Sequence, residues 1–138
     1  YGTTGSKAIL TALAEYFQDT HVIDRRRHTP WLVAFMLAKG LSLLDTTGLW
    51  PIQAGGNMAI TSGSRAQARK WSRGIYKQYP PIVGIWYSSS LVGNPCIALY
   101  ERARDRLPGR PHFNESLASP KLLSGLTQMA EDLKYDLK

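Results

Sequence analysis

Two short stretches of this 138-residue chain hold residue types that could do electrostatic or acid–base chemistry. The first is Ser88, Ser89 and Ser90, three consecutive hydroxyls between the apolar runs Ile82 to Tyr87 and Cys96 to Tyr100. Both runs have strand length and are rich in β-branched or aromatic residues, and Gly93, Asn94 and Pro95 turn the chain back between them. The serines therefore stand where a central strand ends, on a loop that buried strands would hold rigid. A hydroxyl at such a terminus can donate and accept a hydrogen bond at once. The second stretch centres on Glu15, on a helix predicted over Ser6 to Phe17. Ala8, Ile9, Ala12, Leu13, Tyr16 and Phe17 form its apolar face, and Gly5 and Ser6 supply the N-cap. Glu15 lies about 60° from the line through Ala12, at about 100° per residue, on the shoulder between core and solvent. Two readings stand open for each stretch: a solvated flank and a serine-rich turn, or a carboxylate aimed into a cleft and a ligand-bearing loop.

The elements that would position these groups follow in order. HVID, from His21, reads as a short strand, and Arg25, Arg26 and Arg27 as a solvated loop. Trp31 to Leu37 and Leu41 to Leu44 read as buried strands, with a helix left open for the first. Asp45 to Gly48 end that segment, and a loop from Trp50 runs to Gly63 without a GxGxxG or GxxxxGK[ST] spacing. Ser64 to Tyr79 is a second helix, with Ala68, Trp71 and Ile75 on one face and Pro80 and Pro81 stopping it. After Tyr100 the charged run to Pro111 suggests a strand exit and a surface loop. Ser119 and Pro120 open a last helix, Lys121 to Leu133, whose Leu122, Leu126, Met129 and Leu133 would pack on the body as a lid or edge cover. The fold class expected is α+β, a mixed β-sheet core with flanking helices. One domain covers residues 1–138, with a core over 1–115 and a C-terminal helical segment over 116–138.

Composition narrows the function classes. A hydrophobic content of 43% is ordinary for a globular domain. No apolar run approaches the roughly 20 residues that span a bilayer, and no charged-then-apolar leader stands before the first helix, so a soluble cytoplasmic protein without a membrane partner is expected. The chain starts at Tyr1 within what reads as folded sequence, which suggests part of a longer protein. Cys96, the single cysteine, lies in an apolar run and builds no disulfide framework. His21, His28 and His112 are scattered, so no metal site is expected. The formal charge of +7 attracts polyanions. Arg65, Arg69, Arg73 and Lys77 recur every four residues, joined by Lys70, and form a basic stripe on the second helix. The stripe is either solvated surface or a nucleic-acid-binding module. No helix-turn-helix, zinc-ligand or RNP signature accompanies it, and direct nucleic-acid binding is not the leading expectation.

The segments ARKWSRGIYKQYPPIVGIWYSSS and NPCIALYER closely resemble the second half of the RES domain, named for the Arg, Glu and Ser that mark its active site. TALAEYFQDTHVID resembles that family's Glu-bearing helix, and LSLLDTTGLWP its Leu-Leu-Asp strand. The pieces occur in the family's order from Tyr1 to about Arg102. The resemblance implies an ADP-ribosyltransferase-like fold and a toxin of a bacterial toxin–antitoxin pair that degrades NAD by hydrolysis or phosphorolysis. NAD is then a substrate rather than a cofactor, and the implied protein partner is a helix-turn-helix antitoxin. Residue by residue, it implies that Glu15 and Ser89 are catalytic, and that Tyr1 and Ser90 contact substrate. By the resemblance the family's Arg is expected before the position of Tyr1 and so has no counterpart in this sequence, and none of Arg25, Arg26 or Arg27 sits in the matching place. An inactive RES fragment serving in complex formation is therefore a further alternative.

Overall fold

The apolar hairpin around the serines becomes the middle of the main sheet. A computed structural model describes residues 1–37, 39–55 and 64–138, apart from the side chain of Arg65. In chain order these form β1 (Gly2–Thr3), α1 (Ala8–Phe17), β2 (Val22–Ile23), β3 (Trp31–Ala34), β4 (Leu43–Asp45), α2 (Trp50–Gln53), α3 (Arg65–Gln78), β5 (Gly84–Ser88), β6 (Pro95–Leu99), β7 (Phe113–Ser116), α4 (Leu123–Leu133) and β8 (Asp136–Leu137). Short 3-10 turns occupy Glu101–Arg106 and Pro120–Leu122.

The main sheet has the order β1-β6-β5-β4 and is mixed: β5 and β6 are antiparallel, β1 joins β6 antiparallel, and β4 joins β5 in parallel. With helices around it, the chain is an α/β mixture compatible with the α+β class. The register pairs Tyr87 with Cys96 and Cys96 with Thr3, so strand alternation puts these three side chains on one face. Gly84 is fixed by close packing rather than by its dihedral angles. A Cβ there would stand 2.6 Å from the Ala98 carbonyl oxygen and 3.0 Å from the side chains of Leu43 and Leu99.

The central apolar cluster lies between α1 and α4. Leu13 and Phe17 of α1 meet Ile23, Leu117, Leu126 and Ala130, with Leu122, Met129, Leu133 and Leu137 packed around them. Residues 116–138 thus form a wall of this cluster, and their last strand, β8, pairs in parallel with β2. Arg25, expected in a solvated loop, instead donates to the carbonyls of Leu117, Ala118 and Ser119 and ties the two ends of the chain together. Arg26 and Arg27 are exposed.

Trp31–Leu37 forms a strand only over its first four residues, and it is not buried. β3 pairs solely with β7 among the described residues, and a two-stranded ribbon covers one face only. Leu32 turns toward the core, while Trp31 and Val33 alternate outward at 56% and 42% exposure. Glu101–Arg106, expected as a strand exit, is a 3-10 turn with Ala103 buried beneath it. α3 matches its expected span, and the Ser64 hydroxyl caps it by accepting the Gln67 N–H at 3.3 Å. At its far end Arg102 donates to the carbonyls of Tyr76, Tyr79 and Pro80, and its guanidinium lies 3.8 Å from the centre of the Tyr76 ring. A cation at a helix C-terminus is the favourable polarity.

Candidate active site

Ser89 follows β5 directly, and its backbone is fixed from both sides of the turn. Its N–H donates to the Asn94 carbonyl at 2.8 Å, and its carbonyl accepts the Gly93 N–H at 2.9 Å. Gly93 sits at φ +69°, where a side chain would be strained. The Ser89 side chain is 3% exposed. Its hydroxyl accepts the N–H groups of Leu91 at 3.2 Å and Val92 at 3.3 Å, a serine turn within the loop. With its lone pairs so placed, the hydroxyl has one direction left for its proton, and it donates to Glu15 Oε1 at 2.6 Å.

That contact joins residues 74 positions apart, so Glu15 is not a purely solvated flank residue. Glu15 is half-buried on α1, turned to the serine loop rather than out to solvent. A buried hydroxyl with every hydrogen-bonding direction taken is not arranged to attack a substrate. It is arranged to hold a carboxylate. Among the described residues Ser89 is the sole donor to this carboxylate, and Oε2 has no hydrogen-bond partner.

A second pin lies one helical turn back. Thr11, fully buried, donates from Oγ1 to the Lys7 carbonyl at 2.9 Å and accepts from Asn94 Nδ2 at 3.0 Å. Thr11 and Glu15 are four residues apart and so share a helix face. One stripe of α1 grips the 89–94 loop by two hydrogen bonds while Leu13 and Phe17 anchor the helix in the core. A shift of the helix would therefore have to break polar and apolar contacts together.

The charge at this junction belongs to Glu15. Tyr87 and Cys96 face each other across β5 and β6 beside it. Burial, then the neighbouring Cys96, Glu15 and Tyr1, push the Tyr87 phenol well above its ordinary value. Burial and the Glu15 charge also push the Cys96 thiol up, against hydrogen bonds from Tyr87 and the Ser89 backbone that lower it. Both groups keep their protons at neutral pH and add no negative charge of their own beside Glu15.

Of the sequence-predicted residues, Glu15 and Ser89 are in direct contact. Tyr1 is fully exposed at the start of β1, yet close enough to Tyr87 to influence its titration. Ser90 is exposed at the tip of the turn and makes no hydrogen bond among the described residues. Thr11, Asn94, Tyr87 and Cys96 complete the junction without having been singled out as site residues. Thr11 had a readable signal, since it stands one turn from Glu15. The partnership of Asn94 with it depends on tertiary docking. The basic stripe lies on α3, where Arg69, Lys70, Arg73 and Lys77 are exposed and make no ion pair with the junction among the described residues. Among those residues no three His, Cys, Asp or Glu side chains gather as metal ligands, and no helix is long and apolar enough to cross a membrane. No family model, curated protein or solved structure matches the chain.

Proposed function

We propose that the Glu15–Ser89 junction is an NAD-consuming active site of RES type, in an ADP-ribosyltransferase-like domain. The observation that carries this reading is the 2.6 Å hydrogen bond between the two residues. Resemblance in sequence selects one helix residue and one strand-end residue far apart in the chain, and folding brings that pair into contact.

Cleavage of the bond between nicotinamide and ribose builds positive charge on the sugar, an oxocarbenium-like state. Glu15 supplies a fixed negative charge against it through Oε2, while Ser89 holds Oε1. The electron pair of the breaking bond leaves with nicotinamide. Water or phosphate forms the new bond at the same carbon, and a proton is released when water attacks. Ser89 is thus a positioning residue. Tyr1 is available to stack on the nicotinamide ring from its exposed place beside Tyr87, and Ser90 to meet a ribose hydroxyl from the turn. The same reading makes the protein a cytoplasmic toxin whose protein partner is a helix-turn-helix antitoxin.

The test is incubation of NAD with the protein as its complete reading frame encodes it, following NAD loss and nicotinamide release. The expected result is turnover that Glu15→Gln lowers by about 100- to 1,000-fold with an unchanged circular dichroism spectrum. ADP-ribose as product marks hydrolysis, and dependence on added phosphate marks phosphorolysis. A folded wild-type protein that leaves NAD intact, or a Glu15→Gln variant as active as wild type, rejects the assignment.

A further inference from the structure

Between residues 46 and 100 the sequence holds five cations, Arg65, Arg69, Lys70, Arg73 and Lys77, and no Asp or Glu. The rest of the chain holds twelve cations against ten acids. Most of the formal charge of +7 therefore stands on one 14-residue helix, α3. Arg69, Lys70, Arg73 and Lys77 are all exposed, and the one ion pair among the described residues is Arg106 with Asp105, elsewhere.

Among the described residues these four side chains make no hydrogen bond or ion pair, and only Lys77, in the last turn, has the polarity that favours the helix. α3 is held from its inner side by buried Ile75 and by Trp71, whose ring meets Trp50 edge-on. Ser72 meets the Tyr100 hydroxyl, and the ends are capped by Ser64 and Arg102. Arg69, Arg73 and Lys77 follow one another at about 6 Å of helix rise, and like charges four residues apart oppose helix formation. A dense row of one sign, uncompensated and outward-facing, is complementary to a regular row of the opposite sign.

We infer that the outer face of α3 binds the phosphate backbone of nucleic acid without reading its sequence. A membrane surface fits less well, because Trp71 and Ile75 of α3 pack inward and its one exposed aromatic, Tyr76, is engaged by the Arg102 guanidinium. An acidic protein also fits less well, since a protein interface is more than half apolar in area, whereas Arg69, Lys70, Arg73 and Lys77 dominate this face. A phosphate backbone needs only regularly placed cations, and arginine can meet phosphate oxygens in pairs. This inference stands apart from the NAD reading, since it uses none of the residues at the Glu15 junction.

The test is fluorescence anisotropy with a labelled single-stranded DNA of mixed sequence, about 16 nucleotides long, repeated with a second unrelated sequence. With four cations engaged, affinity is expected to fall about 50-fold between 50 and 200 mM salt and to be alike for both sequences. Replacing Arg69, Arg73 and Lys77 together by Gln, which keeps helix propensity, is expected to remove most of that salt dependence, while Lys at Arg69 and Arg73 retains binding. A control that removes the same charge elsewhere, Arg26→Gln with Arg27→Gln and Arg110→Gln, is expected to bind as wild type. The inference is overturned if the α3 and control variants weaken binding equally, if no salt-dependent binding occurs, or if polyglutamate competes as well as the oligonucleotide.

Discussion

α1 and α3 are both amphipathic helices beside the same sheet, and they use their polar residues in opposite ways. α1 turns Thr11 and Glu15 inward, where each meets one partner on the 89–94 loop. α3 turns four described cations outward, where they meet no hydrogen-bond or ion-pair partner among the described residues. An inward polar residue has its geometry fixed by the fold, so altering it disturbs structure and chemistry together. An outward one can be exchanged with little effect on folding, and any role it has is with something outside the chain.

The contrast ranks the expected effects of substitution. Ser89→Ala is the largest on the loop side: it leaves the N–H groups of Leu91 and Val92 without their acceptor and frees the Glu15 carboxylate. Stability should fall by about 1–3 kcal/mol in urea denaturation, and NAD turnover by about 10- to 100-fold through loss of orientation. Asn94→Ala removes the second pin and should cost about 1 kcal/mol. A stability loss as large as that of Ser89→Ala would mean that Thr11 rather than Glu15 dominates the docking.

Alkaline pH probes the same junction. The thiol of Cys96 and the phenol of Tyr87 hold their protons more tightly in the folded protein than at their ordinary values of 9.0 and 10.0. Below those values both states are protonated and the groups contribute no slope. Above them the unfolded chain releases its protons first, so stability declines from about pH 9 upward. Urea midpoints measured across that range should fall less steeply in Tyr87→Phe than in wild type. On the other helix, Arg73→Gln removes the like-charge repulsion with Arg69 and Lys77 and should raise stability slightly, by about 0.5 kcal/mol at low salt. A marked loss there would reveal a structural partner for Arg73 and break the contrast.

What the sequence revealed follows the same division. α1, α3, α4 and the β5–β6 hairpin carry strong local signals: helical apolar periodicity, Ser64 and Ser119 at helix starts, Pro80 and Pro81 at a helix end. The β-ribbon was half legible. Trp31–Leu37 has the composition of a buried strand, but its exposure is decided by how many strands join it, which is a tertiary matter. β7, reading FNES, and β8, only two residues long, have too little β-branched content to announce themselves. At the candidate site, Glu15 at a helix shoulder and the run Ser88 to Ser90 at a strand end were readable as candidates, and the resemblance singled out Ser89 among the three. Their contact, and the pairing of Thr11 with Asn94, depend on how α1 packs over the hairpin.

The most direct measurement is a double-substitution cycle on NAD turnover with Glu15→Gln, Ser89→Ala and the pair together. If Ser89 acts by holding the Glu15 carboxylate, removing it matters little once that carboxylate is gone. The double variant should then be about as slow as Glu15→Gln alone. Losses that simply multiply would mean that the two residues act independently and would contradict the account.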